Sequence, residues 1–146
     1  MIKASADEIY ILARTIYGEA RGEPWEGKLA IAWVVVNRLN ADSARLDRLY
    51  GNSIREICCK PAQFSCWNRL DRNYQVIQAA QLETDAAFRA CLGAACAVLG
   101  GAVPDPTFGA THYHAASLKT PPAWAKGKTP CARIGMHLFF NDIEED

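Results

Sequence analysis

After Ser5, the apolar residues Ile9, Leu12, Ala13 and Ile16 recur at three- and four-residue spacing, the period of a helix with one buried face. Ser5 followed three positions later by Glu8 forms a capping box, so the pattern predicts a first helix over residues 6–19. Gly18 and Gly22 weaken that helix and Pro24 suits the first turn of another, so the chain is expected to turn near Gly22 and restart. The second predicted helix, residues 24–39, contains a stretch at 29–36 that is apolar almost all round. A helix tolerates this only where neighbours cover most of its faces, so it is the expected centre of the core.

Ser53 with Glu56 repeats the capping pattern for a short helix ending near Cys59, stopped by Lys60-Pro61. Helical patterns return at 73–81 and 84–99, the last rich in alanine and closed by Gly100-Gly101. From Val103 onward Pro, Gly, Thr and aromatic residues dominate. Two strands are expected there, 110–114 and 134–140, separated by a loop rich in Pro and Lys. The chain shows neither an internal repeat nor a low-complexity tract. The predicted fold class is α+β, mostly helical, with a small C-terminal β-hairpin, in one domain over residues 1–146.

Composition narrows the partners. The 16 basic and 16 acidic residues cancel, so no global field points to nucleic acid or an acidic membrane surface, and a neutral polymer or small ligand fits better. The longest apolar run, 29–36, is far too short to span a bilayer, so stable membrane insertion is not expected. Asp7 and Glu8 stand where a secretory leader needs a basic start and an apolar stretch, so a chain made in the cytoplasm without a signal peptide is expected. Six cysteines, an even number, permit bridges. Cys91 and Cys96 on one helix lie about 140° apart and cannot pair with each other, so both are expected to be small buried apolar residues. Cys58, Cys59, Cys66 and Cys131 fall in turn-like segments, where one or two bridges are open to a protein working outside the reducing cytoplasm.

The densest polar cluster is Arg14, Tyr17, Glu19, Arg21 and Glu23, around the first helix junction. Glu19 ends its predicted helix, where the negative pole of the macrodipole disfavours a carboxylate and raises its pKa, as a general acid near neutral pH requires. The alternative is a surface carboxylate paired with Arg14 or Arg21. Two further clusters combine rings with amides and hydroxyls, as sugar binding does: Gln63-Phe64-Ser65-Cys66-Trp67-Asn68, and Thr111-His112-Tyr113-His114 with the later Trp124 and His137. By composition Phe64, Phe88 and Trp33 suit the core, while Trp67, Tyr113 and Trp124 suit either role. His112, His114 and His137 also permit a zinc reading, since His-x-His on a strand directs both rings to one face. No helical His-Glu-x-x-His and no fourth ligand accompany them, so neither metal nor other cofactor is expected. A cysteine nucleophile, Cys59 or Cys66 with His114, is a further alternative.

The segments 12–24 (Leu-Ala-Arg-Thr-Ile-Tyr-Gly-Glu-Ala-Arg-Gly-Glu-Pro), Gly27 and 32–38 (Ala-Trp-Val-Val-Val-Asn-Arg) closely resemble the SleB-like cell wall hydrolases, the spore cortex-lytic family. The resemblance continues in order through Gln63-Phe64-Ser65, the run from Asp105-Pro106-Thr107 to His114, and the closing segment 134–140. It implies a lysozyme-like or lytic-transglycosylase-like domain acting on bacterial peptidoglycan, with one catalytic glutamate at Glu19. In such enzymes the glutamate protonates the oxygen between N-acetylmuramic acid and N-acetylglucosamine. In the transglycosylase variant it then takes the proton of the muramic C6 hydroxyl, closing a 1,6-anhydro ring. Gln63, Phe64, Ser65, Tyr113, His114 and His137 are the expected substrate-binding groups beside Glu19. Glu23 is expected to start the second helix and Asp105 to hold a turn. Spore-acting members usually carry an export signal and a separate wall-binding domain. A compact leaderless domain looks more like a phage or prophage endolysin, expected to be monomeric and to reach the wall after release.

Overall fold

The structure, a computed structural model, describes residues 2–41, 50–61 and 63–143. Helix α1 (Ala6–Ala20) starts where the capping box places it: Ser5 Oγ accepts the Glu8 N–H at 3.1 Å and the Glu8 carboxylate reaches back to the Ser5 N–H. It runs through Gly18 without a break. The chain turns at Arg21–Gly22 and resumes as α2 (Trp25–Leu39), with Pro24 in the N-cap position. Val34-Val35-Val36 and Ile31 are poor helix formers, each costing up to about 0.7 kcal/mol relative to alanine. Each is at most 1% exposed, and burial returns about 1.5–3 kcal/mol per side chain, so packing decides the conformation.

Helix α3 (Ile54–Cys59) is capped by Ser53, whose hydroxyl accepts the Glu56 N–H at 3.1 Å. A 3₁₀ turn (Ser65–Trp67) leads into α4 (Arg72–Ala79), capped by Asp71, and then α5 (Ala86–Leu99), capped by Asp85. Alanines and Cys91 on the inner side of α5 let it lie close against α1 and α2, which it contacts more extensively than any other helix does. Cys91 is buried, whereas Cys96 is exposed, against the expectation that both would be buried. Among the described residues no helix is long and apolar enough to cross a membrane.

The C-terminal part is a three-stranded antiparallel sheet rather than a two-stranded hairpin. Strand β1 (His112–Ala115) pairs with β3 (His137–Phe140), which pairs with β2 (Ala132–Ile134), in the order β1-β3-β2. The expected single strand over 134–140 is folded back at Gly135-Met136. Gly135, at φ 56°, supplies the left-handed first position of a tight two-residue turn. Tyr113 lies opposite Phe139 and Ala115 opposite His137, so these four share one face of the sheet. That face turns to the helices; His112, His114, Leu138 and Phe140 take the other, where Trp124, Ala125 and Ile143 form a small second core.

The motif residues between the helical and sheet parts act as ties. Asn37 Nδ2 donates to Asp105 Oδ2 and to the Ala110 carbonyl, both at 2.9 Å, and Arg38 Nε donates to the Thr111 carbonyl at 2.7 Å. Asp105 also accepts from Thr107 N (2.8 Å), Thr107 Oγ1 (2.6 Å) and Gly109 N (2.9 Å), which fixes the turn leading into β1. All six cysteines are free thiols, so none of the bridges open to Cys58, Cys59, Cys66 and Cys131 is formed.

Candidate active site

Glu19 occupies the last turn of α1, and the sheet lies over it. The Tyr113 hydroxyl, reaching down from β1, donates to Glu19 Oε1. Burial raises the Glu19 pKa above the ordinary carboxylate value; hydrogen bonds from Tyr113 and Cys66 oppose the rise, and the negative charge of Asp71 adds to it. Tyr113 is held well above its own usual pKa, by burial first and then by the adjacent carboxylate, so it remains a hydrogen-bond donor. The phenol packs among Phe64, His137 and Phe139, with centroids 6.4, 5.1 and 5.7 Å away.

Two hollows meet at Glu19. One, of about 310 Å³, is lined by Glu19, Arg38, Gln63, Ser65, His112, Tyr113 and Trp124. The other, of about 460 Å³, is lined by Glu19, Ala20, Arg21, Gly22, Glu23, Met136 and His137. Gln63, Ser65 and Tyr113 therefore share the first hollow with the acid, and His137 lies in the second. Neither arginine expected as an alternative partner engages the Glu19 carboxylate. Arg21 donates to the Tyr17 carbonyl (3.1 Å) and Asn73 (2.8 Å), while Arg14 lies over the rings of Tyr10 and Phe88.

Phe64 and His114 are corrections. Phe64 is fully buried, beneath Arg38 and Tyr113, and supports the wall of the hollow rather than touching anything within it. His114 lines neither hollow; its ring stacks on Phe140 at 5.4 Å and lies 5.8 Å from Trp124. Phe64 follows the alternation of an extended segment, which turns it away from the side that Gln63 faces, whereas His114 shares its face of the sheet with His112 and lies two residues further along β1, beyond the hollow that His112 lines.

The same alternation separates the three histidines. His112 and His114 share one face of the sheet and His137 takes the opposite one, so they do not converge on one ion. No metal-binding group of His, Cys, Asp or Glu occurs among the described residues. The cysteine alternative fails on reactivity. Burial pushes the thiols of Cys66 and Cys59 up, away from the nucleophilic thiolate, and His114 is occupied elsewhere.

Glu23 does not start α2 with its side chain. Its carboxylate accepts the Met136 N–H at 2.9 Å, beneath the β2–β3 turn, and stands 3.1 Å from His137 Nδ1 without hydrogen-bond alignment. Gly135 permits this approach: a Cβ there would stand 2.3 Å from Glu23 Oε2. Burial lowers the His137 pKa, so the ring is uncharged at neutral pH despite Glu23.

Arg38 lines the first hollow without having been read as a site residue from sequence, whereas His112 and Trp124, which also line it, belong to the aromatic cluster read as suited to sugar binding. Arg38 stood in plain view in the Asn37-Arg38 pair, but a charged residue closing an apolar helix reads as a helix end. In the fold Arg38 is 5% exposed, donating to Gln63 Oε1 at 3.2 Å and lying 5.1 Å over Tyr50.

The family model described as Cell Wall Hydrolase matches residues 22–140, beginning three residues after Glu19. The spore cortex-lytic enzyme of Bacillus subtilis (strain 168) is 33% identical over 135 residues, covering 92% of this chain and 38% of that protein. That of Halalkalibacterium halodurans is 31% identical over 137 residues, covering 94% and 36%. The chain thus spans less than two fifths of the length of these curated relatives. Among solved structures, the catalytic domain of the Bacillus cereus SleB protein superposes with a TM-score of 0.66 at 27% identity, over 94% of this chain and 91% of that one. The catalytic domain of the germination-specific lytic transglycosylase SleB from Bacillus anthracis gives 0.64 at 26% identity, over 93% and 95%. With the family match spanning most of the sequence and the fold match nearly end to end on both sides, the chain belongs to the cell wall hydrolase family.

Proposed function

We propose that this domain cleaves the β-1,4 bond between N-acetylmuramic acid and N-acetylglucosamine in bacterial peptidoglycan, as a lytic transglycosylase with Glu19 as its acid. The observation that carries the reading is the Glu19 carboxyl group: raised in pKa by burial, held by Tyr113, and shared by two hollows, so that a strand passing from one to the other brings its linking oxygen to the acid. Glu19 gives its proton to that oxygen as the bond to the muramic C1 breaks. The muramic C6 hydroxyl then closes on C1 and returns its proton to the Glu19 carboxylate, which restores the enzyme. Gln63, Ser65 and Trp124 hold the sugar in the first hollow, the indole offering an apolar face to the C–H face of the ring. His137 flanks the second. Action as a monomer on the wall, after release from the cytoplasm, completes the proposal.

The test is Glu19→Gln acting on purified sacculi. The amide keeps the shape of the side chain and lacks the transferable proton, so the rate of turbidity loss should fall on the order of 10² to 10⁴-fold or more, with sedimentation on walls retained. A variant within tenfold of the parent would remove Glu19 from the role. Free amino groups released by the parent without cut glycan would move the reaction to the peptide stems.

A further inference from the structure

A third hollow stands apart from Glu19, and the reaction above makes no use of it. It has a volume of about 340 Å³ and is lined by Asp7, Tyr10, Arg14, Arg55, Trp67 and Gln78, with Ile11 at its base. Its chemistry is specific. Among the described residues Arg14 and Arg55 form no ion pair, while the Arg14 guanidinium is steadied 5.1 Å above the Phe88 ring and 5.8 Å from that of Tyr10. Trp67 is fixed by its indole N–H, which donates at 2.8 Å to Thr15 Oγ1; Thr15 is fully buried and donates in turn to the Ile11 carbonyl at 2.8 Å. Two guanidinium groups beside fixed aromatic rings suit a carboxylate, which arginine binds through two parallel hydrogen bonds. Asp7 in the same lining disfavours a polyanion and suits an ammonium group.

The place of this hollow matters as much as its lining. The 3₁₀ turn Ser65–Trp67 is the ridge between it and the first hollow, since Ser65 lines one and Trp67 the other. Arg14 precedes Glu19 by five residues on α1, about 7.5 Å along the axis and about 140° around it. An extended peptide of about four residues reaches roughly 13–14 Å. The reach of such a peptide, hanging from a sugar beside Glu19, exceeds the axial separation of Arg14 from Glu19.

We infer that this hollow binds the peptide stems of peptidoglycan, Arg14 and Arg55 taking a free carboxylate and Asp7 an ammonium group. The inference rests on the peptidoglycan reading of Glu19 and adds to it a site for the non-sugar part of the substrate.

The probe is the tripeptide L-alanyl-γ-D-glutamyl-meso-diaminopimelate, titrated into the whole chain while the indole N–H resonance of Trp67 is followed by NMR. A saturable shift is expected, weakened tenfold or more by Arg55→Gln and by Arg14→Gln. Asp7→Asn should weaken binding of the tripeptide but not of a form acetylated on both of its free amino groups, that of alanine and the distal one of diaminopimelate. Arg55→Gln is the decisive variant, because Arg55 is exposed and stacks on no ring, so its loss leaves the fold alone. With intact sacculi Arg55→Gln should raise KM several-fold at unchanged kcat; with glycan strands stripped of their stems it should match the parent. No saturable shift, an equal shift with inorganic phosphate, or the parent's KM on both substrates would overturn the inference. Should the parent cut neither substrate, the reading of Glu19 fails, and the titration still decides this site by itself.

Discussion

A carboxylic acid that must donate a proton near neutral pH has to be held in a place that disfavours its charge, and the cost shows in stability. The folded pKa of Glu19 is raised, so folding strengthens its hold on the proton. That contribution is fully present below the unfolded value, about 4.3, and is lost as pH rises through the folded one. At neutral pH the burial of this carboxyl group therefore opposes folding, and Glu19→Gln is expected to remove the opposition. Thermal melts should place the variant at or above the parent at pH 7, with the gap closing toward pH 4; a variant melting clearly below the parent at pH 7 would contradict this. Tyr113→Phe tests the other side of the balance. The hydroxyl stabilises the Glu19 carboxylate, so its removal lets the pKa of the acid climb further. The alkaline limb of kcat/KM against pH should move to higher pH even as the maximum rate falls, and an unmoved limb would show that Tyr113 does not act through Glu19.

At the level of elements, the site depends on how closely the Ser65–Trp67 turn approaches α1. Gly18 sets that distance. A Cβ at Gly18 would stand 2.4 Å from Cys66 Cβ and 2.7 Å from its Sγ, closer than packed atoms allow. Alanine is favoured over glycine inside an isolated helix by about 1 kcal/mol, whereas overpacking a tight contact costs about 1–3 kcal/mol. Contact should win, because Cys66 Cβ is tied to its backbone and cannot swing aside. Gly18→Ala is expected to lower Tm and to cut activity by displacing Ser65 from its place beside Glu19. A gain in Tm with full activity would show that the turn yields freely. A residue that reads as a helix breaker is thus a helical residue chosen for its lack of bulk.

Across the whole molecule, the disposition of the other acids bears on the chemistry. Among the described residues lining the two hollows, the one carboxylate besides Glu19 is Glu23, and it accepts the Met136 N–H beneath the β2–β3 turn. Asp105 is spent on its turn, Asp71 caps α4, and Asp85 accepts the Tyr17 hydroxyl. A hydrolytic route by paired carboxyl groups needs a second one free to act, about 5 Å away for retention or roughly 6.5–9.5 Å for inversion. The expected products are therefore muropeptides with 1,6-anhydromuramic ends, read by mass spectrometry of digested sacculi. Reducing muramic ends carrying one oxygen from labelled water would assign the enzyme to the hydrolytic muramidases.

Local rules carried the reading as far as local physics reaches. Capping by Ser5 and Ser53, the apolar girth of 29–36 and the small residues of α5 are short-range or periodic properties, so the helices and the central place of α2 could be read from the chain. Glu19 could be singled out because helix position acts on a carboxylate within a few residues. Phe64 and His114 were misplaced because a motif marks a segment, while the side of that segment facing the cleft depends on its packing partners. The split of 134–140 by Gly135 needed Glu23, more than a hundred residues away, to fill the space beneath the turn. The family resemblance set Tyr113 beside Glu19, but only tertiary structure gave the hydrogen bond between them and brought Arg38, His112 and Trp124 around one hollow, because hydrogen bonding and desolvation act over a few ångströms in space whatever the distance along the chain.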